Sequence, residues 1–174
     1  GIGTVLADNP QLTTRLPPGE KGNDPVRIVV DSTLRLPLEA RVINPSSKAP
    51  LLVVTTPRAS EERRRALRER GVEIMVIDTH LDYVDLPVML QELAKREITG
   101  ILLEGGATLN ASALEAGLVD KVVTFIAPKI VGGKEAPGMI GGLGQERMDQ
   151  AWRLKRISIN QLGEDLMLTG YVQK

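Results

Sequence analysis

Two stretches of this chain combine residue types that bind anions. The first is I-L-L-E-G-G-A-T-L at 101–109. An apolar run reaches Glu104, passes through Gly105 and Gly106, and enters a helical pattern at Thr108. Glycine lets backbone approach a ligand closely, and a helix start offers unpaired N–H groups and the positive end of a dipole. The junction therefore suits a phosphate or pyrophosphate, although a tight strand-to-helix turn accounts for the same residues. Its spacing is not that of the G-x-G-x-x-G fingerprint. Glu104 ends the apolar run, and ligands of open α/β sheets bind outside the carboxyl ends of strands. Its carboxylate can accept hydrogen bonds there, or can sit in solvent beside the helix dipole. The second stretch is G-T-V-L-A-D-N-P-Q-L-T-T-R at 3–15. Thr4 and Asp8 are polar residues in an apolar opening, and Arg15 offers forked donors to a phosphate or carboxylate. An Asx-turn at Asp8 ahead of Pro10, with Arg15 in solvent, is the alternative.

Composition narrows the chemistry further. The chain has no cysteine and one histidine, His80. That excludes a disulfide scaffold and cysteine-ligated metals, and leaves no material for a histidine cage. We expect no metal, read His80 as a surface residue, and find no side chain that stands out as a catalytic acid or base. Chemistry in such a chain rests on a borrowed cofactor and a few hydrogen bonds. With 22 basic and 22 acidic residues, it lacks the cationic excess of a nucleic-acid binder. Aromatics are 2%, too few for base-stacking platforms. Neither a secretory signal nor an apolar run near the roughly 20 residues of a membrane span is visible. We expect a cytoplasmic protein with no nucleic-acid or membrane partner.

The elements that position these residues follow from periodicity. Short β-branched or apolar runs predict strands at 26–31, 51–55, 72–77, 100–103 and 121–126. Helices are predicted at 61–70, with Ser60 as N-cap and Gly71 as stop, and at 108–116, ended by Gly117. Leu86, Met89, Leu90, Leu93 and Ala94 recur at helical spacing, with Pro87 in the first turn. Pro37, Asn44-Pro45 and Ser46-Ser47 mark a loop. The charged run Glu61-Glu62-Arg63-Arg64-Arg65 reads as a solvated helix face, and Trp152 as core or interface. Six glycines within 132–144 predict a long loop around Met139, and 153–159 with 165–172 flank Gly163 as an antiparallel hairpin. Strands alternating with helices imply a parallel sheet covered on both faces. The sum is an α/β fold: a mixed, largely parallel sheet, helices on both faces, and a C-terminal hairpin. The opening G-I-G-T-V-L begins without Met or a turn signal, as the inside of an element does.

Four motifs then carry a resemblance over essentially the whole chain. They are G-I-G-T-V-L-A-D-N-P-Q-L-T-T-R, V-R-I-V-V-D-S-T-L-R-L-P, I-L-L-E-G-G-A-T-L-N-A-S-A-L-E-A-G-L-V-D-K-V and I-A-P-K-I-V-G-G. In this order they resemble the reductase domain of the bifunctional riboflavin biosynthesis deaminase/reductase. The resemblance implies a dihydrofolate-reductase-like fold, NADPH as hydride donor, and 5-amino-6-(5-phosphoribosylamino)uracil as the substrate reduced to its ribityl form. The ribosylamine would open to an imine at C1′, which accepts the hydride.

By the same resemblance, Thr4, Asp8, Ser32, Gly106, Ala107, Thr108, Leu109, Asn110, Ala111 and Ser112 are cofactor contacts. Leu12, Arg15 and Glu104 are substrate contacts, Arg15 for the phosphate. Arg58, between a strand and the Ser60 cap, is a candidate for the 2′-phosphate of NADPH, with a solvated loop arginine as the alternative. The zinc deaminase signature H-x-E…P-C-x-x-C cannot be present without cysteine. We expect residues 1–174 to form a single reductase domain lacking the family's N-terminal strand and helix, and to pair as a homodimer. The rival readings are a folate-type reductase on the same fold and a non-catalytic oligomerisation or regulatory module.

Overall fold

The computed structural model describes residues 1–20, 22–43, 48–79, 81–133, 136 and 138–174. The expectations placed on 44–47 and on His80 lie outside them. The chain divides into two compact units, Gly1–Gly106 and Ala107–Lys174.

In the first unit, helix α1 (Ile2–Asp8) precedes β1 (Arg27–Val30), β2 (Leu51–Thr55), α2 (Glu61–Glu69), β3 (Glu73–Val76) and α3 (Leu86–Ala94). The three strands form one parallel sheet in the order β1-β2-β3, with Val29 opposite Val53 and Val53 opposite Ile74. All five residues of the central strand β2 are buried, which is why it reads as a continuous apolar run rather than an alternating one. Ile2 and Val5 of α1, Val29, Val53 and Leu67 share one core with Leu34, Leu36 and Val42.

Local chemistry sets the helix ends. The Ser60 hydroxyl accepts from the Arg63 N–H at the start of α2. At its end Gly71 takes φ +79°, and the N–H groups of Gly71 and Val72 return to the carbonyls of Arg68 and Leu67. That is a Schellman closure, which favours glycine at the left-handed position. Asp85 caps α3 by accepting from the Val88 N–H, and Pro87 lies in the first turn.

Arg27 is the buried cation among the described residues of this unit. Its Nη1 donates to the Val42 carbonyl at 2.7 Å and the Gln11 carbonyl at 3.4 Å, and Nη2 to the Ala49 carbonyl at 2.8 Å. Burial pushes its pKa down, opposed by the charge of Asp24. One side chain thus ties three separate segments to the start of β1. Arg27→Ala leaves those buried carbonyls without their donors. We expect it to cost about 3 kcal/mol, or about 6–12 °C in Tm for a chain of this size, in thermal denaturation. A shift under about 2 °C would show that water replaces the guanidinium without loss.

The second unit contains α4 (Ala107–Glu115), β4 (Lys121–Ile126), a 3-10 turn at Met148–Gln150, β5 (Leu154–Leu162) and β6 (Asp165–Val172). Its sheet is antiparallel throughout, in the order β4-β6-β5. The hairpin turns at Gly163, φ +63°, and α4 ends in a second Schellman closure at Gly117, φ +67°. A bulge between Lys155 and Ser158 puts Arg156 at φ +52°, with its guanidinium 4.2 Å from the Tyr171 ring centre.

Three sequence expectations are corrected. Residues 100–103 are not a strand; Ile101, Leu102 and Leu103 are exposed, Leu102 at 80%. An apolar run becomes a strand only when a neighbour takes its backbone N–H and C=O groups, and this one has none among the described residues. Next, 121–126 is a strand but not a member of the parallel run: it pairs with β6, whose direction follows from the hairpin. The parallel and antiparallel strands read from the sequence are both present, in two three-stranded sheets. Finally, the arginines of α2 are not simply solvated, as the next section shows.

Candidate functional site

The carboxyl ends of β1 and β2 carry a set of hydrogen-bonded polar residues. After β1, Asp31 is buried, and its Oδ2 accepts from the Leu36 N–H at 2.8 Å, closing a loop in which Leu34 sits at φ +55°. Ser32 lies in that loop. Its carbonyl accepts from the Thr55 hydroxyl at 3.1 Å, the Thr56 hydroxyl at 2.8 Å and the Thr56 N–H at 3.3 Å. Its own hydroxyl oxygen accepts from the Val84 N–H at 3.2 Å. That leaves the Ser32 O–H proton for an acceptor elsewhere.

Helix α2 fastens this edge. Arg63 donates from Nε to the Leu34 carbonyl at 3.1 Å and from Nη2 to the Leu36 carbonyl. Arg64 donates to the carbonyls of Thr56 and Pro57 at 3.2 and 3.1 Å. Glu61 takes Arg64 and Arg68, and those bonds, Arg68 first, hold its carboxyl below the usual glutamate range. The charged run is therefore half solvated face and half clamp. Its clamp function was invisible in sequence, because carbonyl acceptors 7 to 29 residues away leave no residue-type signal.

The opening segment is helical. Thr4 and Asp8 sit one turn apart on α1, Thr4 half-buried and Asp8 exposed at the carboxyl end. A carboxylate in that position opposes the helix dipole and gains nothing for stability. Asn9 ends the helix at φ 45°, and its Oδ1 accepts from the Arg41 N–H at 2.8 Å, so the turn belongs to Asn9 rather than Asp8. Leu12 follows at φ +55°, a conformation costly for leucine, while packing against the core. Thr14 then pins the loop base, its N–H donating to Asp24 Oδ1 and its hydroxyl to the Asn23 carbonyl. Arg15 and Glu104 are exposed, and neither has a hydrogen-bond or ion-pair partner among the described residues. Thr4 and Gly106 are close: a Cβ added at Gly106 would lie 3.3 Å from Thr4 Oγ1.

In the second unit, α4 carries Ala107, Thr108, Leu109, Asn110, Ala111 and Ser112. The glycine-rich loop lies along this helix. Asn110 Nδ2 donates to the Met139 carbonyl at 3.0 Å, and the Gly141 N–H to the Ala107 carbonyl at 3.0 Å. A Cβ at Gly141 would stand 3.2 Å from Ala107 and 3.3 Å from the Thr108 nitrogen; one at Gly142, φ +74°, would stand 3.1 Å from Ala111 Cβ. Glycine is favoured at Gly141 because its backbone meets the helix backbone, and at Gly142 by its left-handed φ. Ser112 donates back to the Thr108 carbonyl at 3.1 Å. The side chains of Asn110 and Ser112 are thus engaged locally, while the first N–H groups of α4 have no helical acceptor. Among the described residues no group of three or more His, Cys, Asp or Glu could hold a metal ion, and no helix is long and apolar enough to cross a membrane.

Comparison with known proteins places this arrangement. Residues 1–168 match the RibD C-terminal domain. The chain belongs to the RibD C-terminal domain family. It is 44% identical over 168 residues to the riboflavin biosynthesis protein RibD of Actinobacillus pleuropneumoniae, spanning 97% of this chain and 44% of that protein. It is also 44% identical over 168 residues to the 2,5-diamino-6-ribosylamino-4(3H)-pyrimidinone 5′-phosphate reductase of Methanothermobacter thermautotrophicus, of which it covers 76%. Among solved structures it resembles Acinetobacter baumannii RibD, with a TM-score of 0.81 at 30% identity, covering 99% of this chain and 45% of that one. The yeast riboflavin biosynthesis reductase Rib7, at 23% identity and a TM-score of 0.69, shares the fold. The dihydrofolate-reductase-like class implied by the motifs is therefore the fold of this RibD C-terminal domain.

Proposed function

We propose that this chain is a reductase of riboflavin biosynthesis that uses NADPH to reduce 5-amino-6-(5-phosphoribosylamino)uracil to the ribitylamino product. The observation that carries the reading is the 44% identity to a named reductase across 97% of the chain. That relative's name specifies the 2,5-diamino-pyrimidinone rather than the uracil. An equal identity to a RibD keeps both bases in view.

The residues fit a dinucleotide. In the first unit the Ser32 O–H is free to donate, and in the second the first N–H groups of α4 have no helical acceptor; each is the kind of donor that phosphate oxygens take. When bound, NADPH supplies a hydride for C1′ of the opened ribosylamine. The protein's part is positioning: Thr4, Asp8, Ser32 and the segment from Gly106 to Ser112 hold the cofactor, while Leu12, Arg15 and Glu104 hold the substrate. We read the whole chain as one reductase domain, cytoplasmic and acting as a homodimer.

The test is direct. In the intact protein, NADPH oxidation followed at its near-ultraviolet absorbance should depend on a phosphoribosylaminopyrimidine and not on a dihydropteridine. Supplying the uracil and the diamino base separately identifies the substrate. NADPH that fails to bind at all would favour a non-catalytic module; turnover of the pteridine would favour a folate-type reductase.

A further inference from the structure

We infer that Arg58 and Asp82 together set the preference between a phosphorylated and an unphosphorylated adenosine ribose, Arg58 exchanging Asp82 for the 2′-phosphate of NADP. The inference rests on the proposed cofactor use and adds to it a specificity pair.

Arg58 leaves the carboxyl end of β2, where ligands of parallel sheets sit. It is not a free loop arginine. Its Nη1 lies 2.8 Å from Asp82 Oδ1 and donates to the Asp82 carbonyl at 3.0 Å. Both side chains are exposed, 53% for Arg58 and 88% for Asp82, so the pair is weak and readily displaced. A phosphate dianion with several acceptor oxygens is a better partner for the guanidinium fork than one exposed carboxylate.

The pair is also wired to the candidate cofactor residue. The Arg58 N–H donates to Thr56 Oγ1 at 3.3 Å, Thr56 donates to the Ser32 carbonyl, and Ser32 Oγ accepts from Val84, two residues beyond Asp82. Ser32, Arg58 and Asp82 therefore belong to one hydrogen-bonded edge. The arginines next in sequence cannot substitute, since Arg63 and Arg64 are committed to loop carbonyls.

A cavity of about 420 Å³ opens on the same edge, lined by Asp78, Thr79, Leu81, Asp85 and Val88. Leu81 and Val88 give it apolar walls, and the Asp78 carboxylate, with the Asp85 oxygen that does not cap α3, can accept from a ligand's amino and hydroxyl groups. That lining suits an adenosine and repels a phosphate. A 2′-phosphate at this edge must then be taken by Arg58, against the opposing charge of Asp82.

The experiment is calorimetric titration of the intact protein with NADP⁺ and with NAD⁺, in wild type, Arg58→Ala and Asp82→Asn. Arg58→Ala should weaken NADP⁺ about tenfold and leave NAD⁺ nearly unchanged. Asp82→Asn should tighten NADP⁺ about two- to fivefold, because it removes a competitor and a repelling charge. The exposure of both side chains leaves folding intact, which circular dichroism would verify. An unchanged NADP⁺ to NAD⁺ ratio in Arg58→Ala, with both dinucleotides still bound, overturns the inference and leaves the proposed cofactor use standing. Failure of wild type to bind either dinucleotide overturns both.

Discussion

Arg15→Ala is expected to raise the substrate KM, or lower kcat/KM, about 10- to 150-fold in the intact protein while NADPH affinity stays nearly constant. The magnitude is that of one charge-assisted contact to phosphate, about 1.5–3 kcal/mol. The argument starts from charge balance. The chain carries equal numbers of basic and acidic residues, so no general positive field gathers an anionic substrate. Recognition has to be local. Arg15 is exposed and has no hydrogen-bond or ion-pair partner among the described residues, so truncation breaks no such bond among them. The segment that bears it is nonetheless held. Thr14 is fixed to Asn23 and Asp24, Leu12 is held at φ +55° against the core, and Gln11 is tied to Arg27. A fixed loop base presenting an unpaired guanidinium is what an anion site requires. Arg15→Lys should recover only part of the loss, because the ammonium keeps the charge without the fork. A drop in Tm with substrate and cofactor weakened alike would instead make Arg15 structural.

How far the sequence reached depended on the range of the interaction concerned. Leu51–Thr55 and Lys121–Ile126 carry boundaries that their β-branched, apolar runs predict to the residue, and Leu86–Ala94 is the helix that the spacing of its apolar residues implies. Ser60, Gly71 and Gly117 were readable for the same reason, being local backbone devices. What failed was non-local. The I-L-L run at 101–103 is as apolar as any buried strand, but a ladder needs a partner that no window of sequence reveals. Arg63 and Arg64 fit a solvated i,i+4 pattern until the carbonyls of Leu34, Leu36 and Thr56 are seen beside them. The motif residues stood out through the family resemblance. Asp82 and the Asp78–Asp85 cavity did not, because an aspartate in a loop looks like any other until its arginine is found.

Gly106→Val should weaken NADPH binding at least about tenfold, the equivalent of about 1.4 kcal/mol, and leave the fold in place. Gly106 directly precedes α4, whose first N–H groups have no helical acceptor and so are available to a pyrophosphate. Its backbone does not demand glycine for its own conformation, since φ at Gly106 lies outside the left-handed region. The demand is for space. A Cβ there meets Thr4 Oγ1 at 3.3 Å, closer than a relaxed contact, and two further methyls on a β-branched side chain would occupy the approach to the helix start. Thr4 is itself in the proposed cofactor set, so one substitution would crowd two of its proposed members. Gly106→Ala separates the causes: it adds only the Cβ, which a small movement of the exposed Gly106 backbone accommodates, and should cost clearly less than valine. Fluorescence titration with NADPH measures both, with thermal denaturation as the control for folding. Unchanged affinity in Gly106→Val would remove the start of α4 from the cofactor site. Lost affinity together with a fall in Tm of more than about 10 °C would mark a folding defect instead. Graded loss from glycine to alanine to valine at constant Tm is the result that ties the backbone at Gly106 to the pyrophosphate.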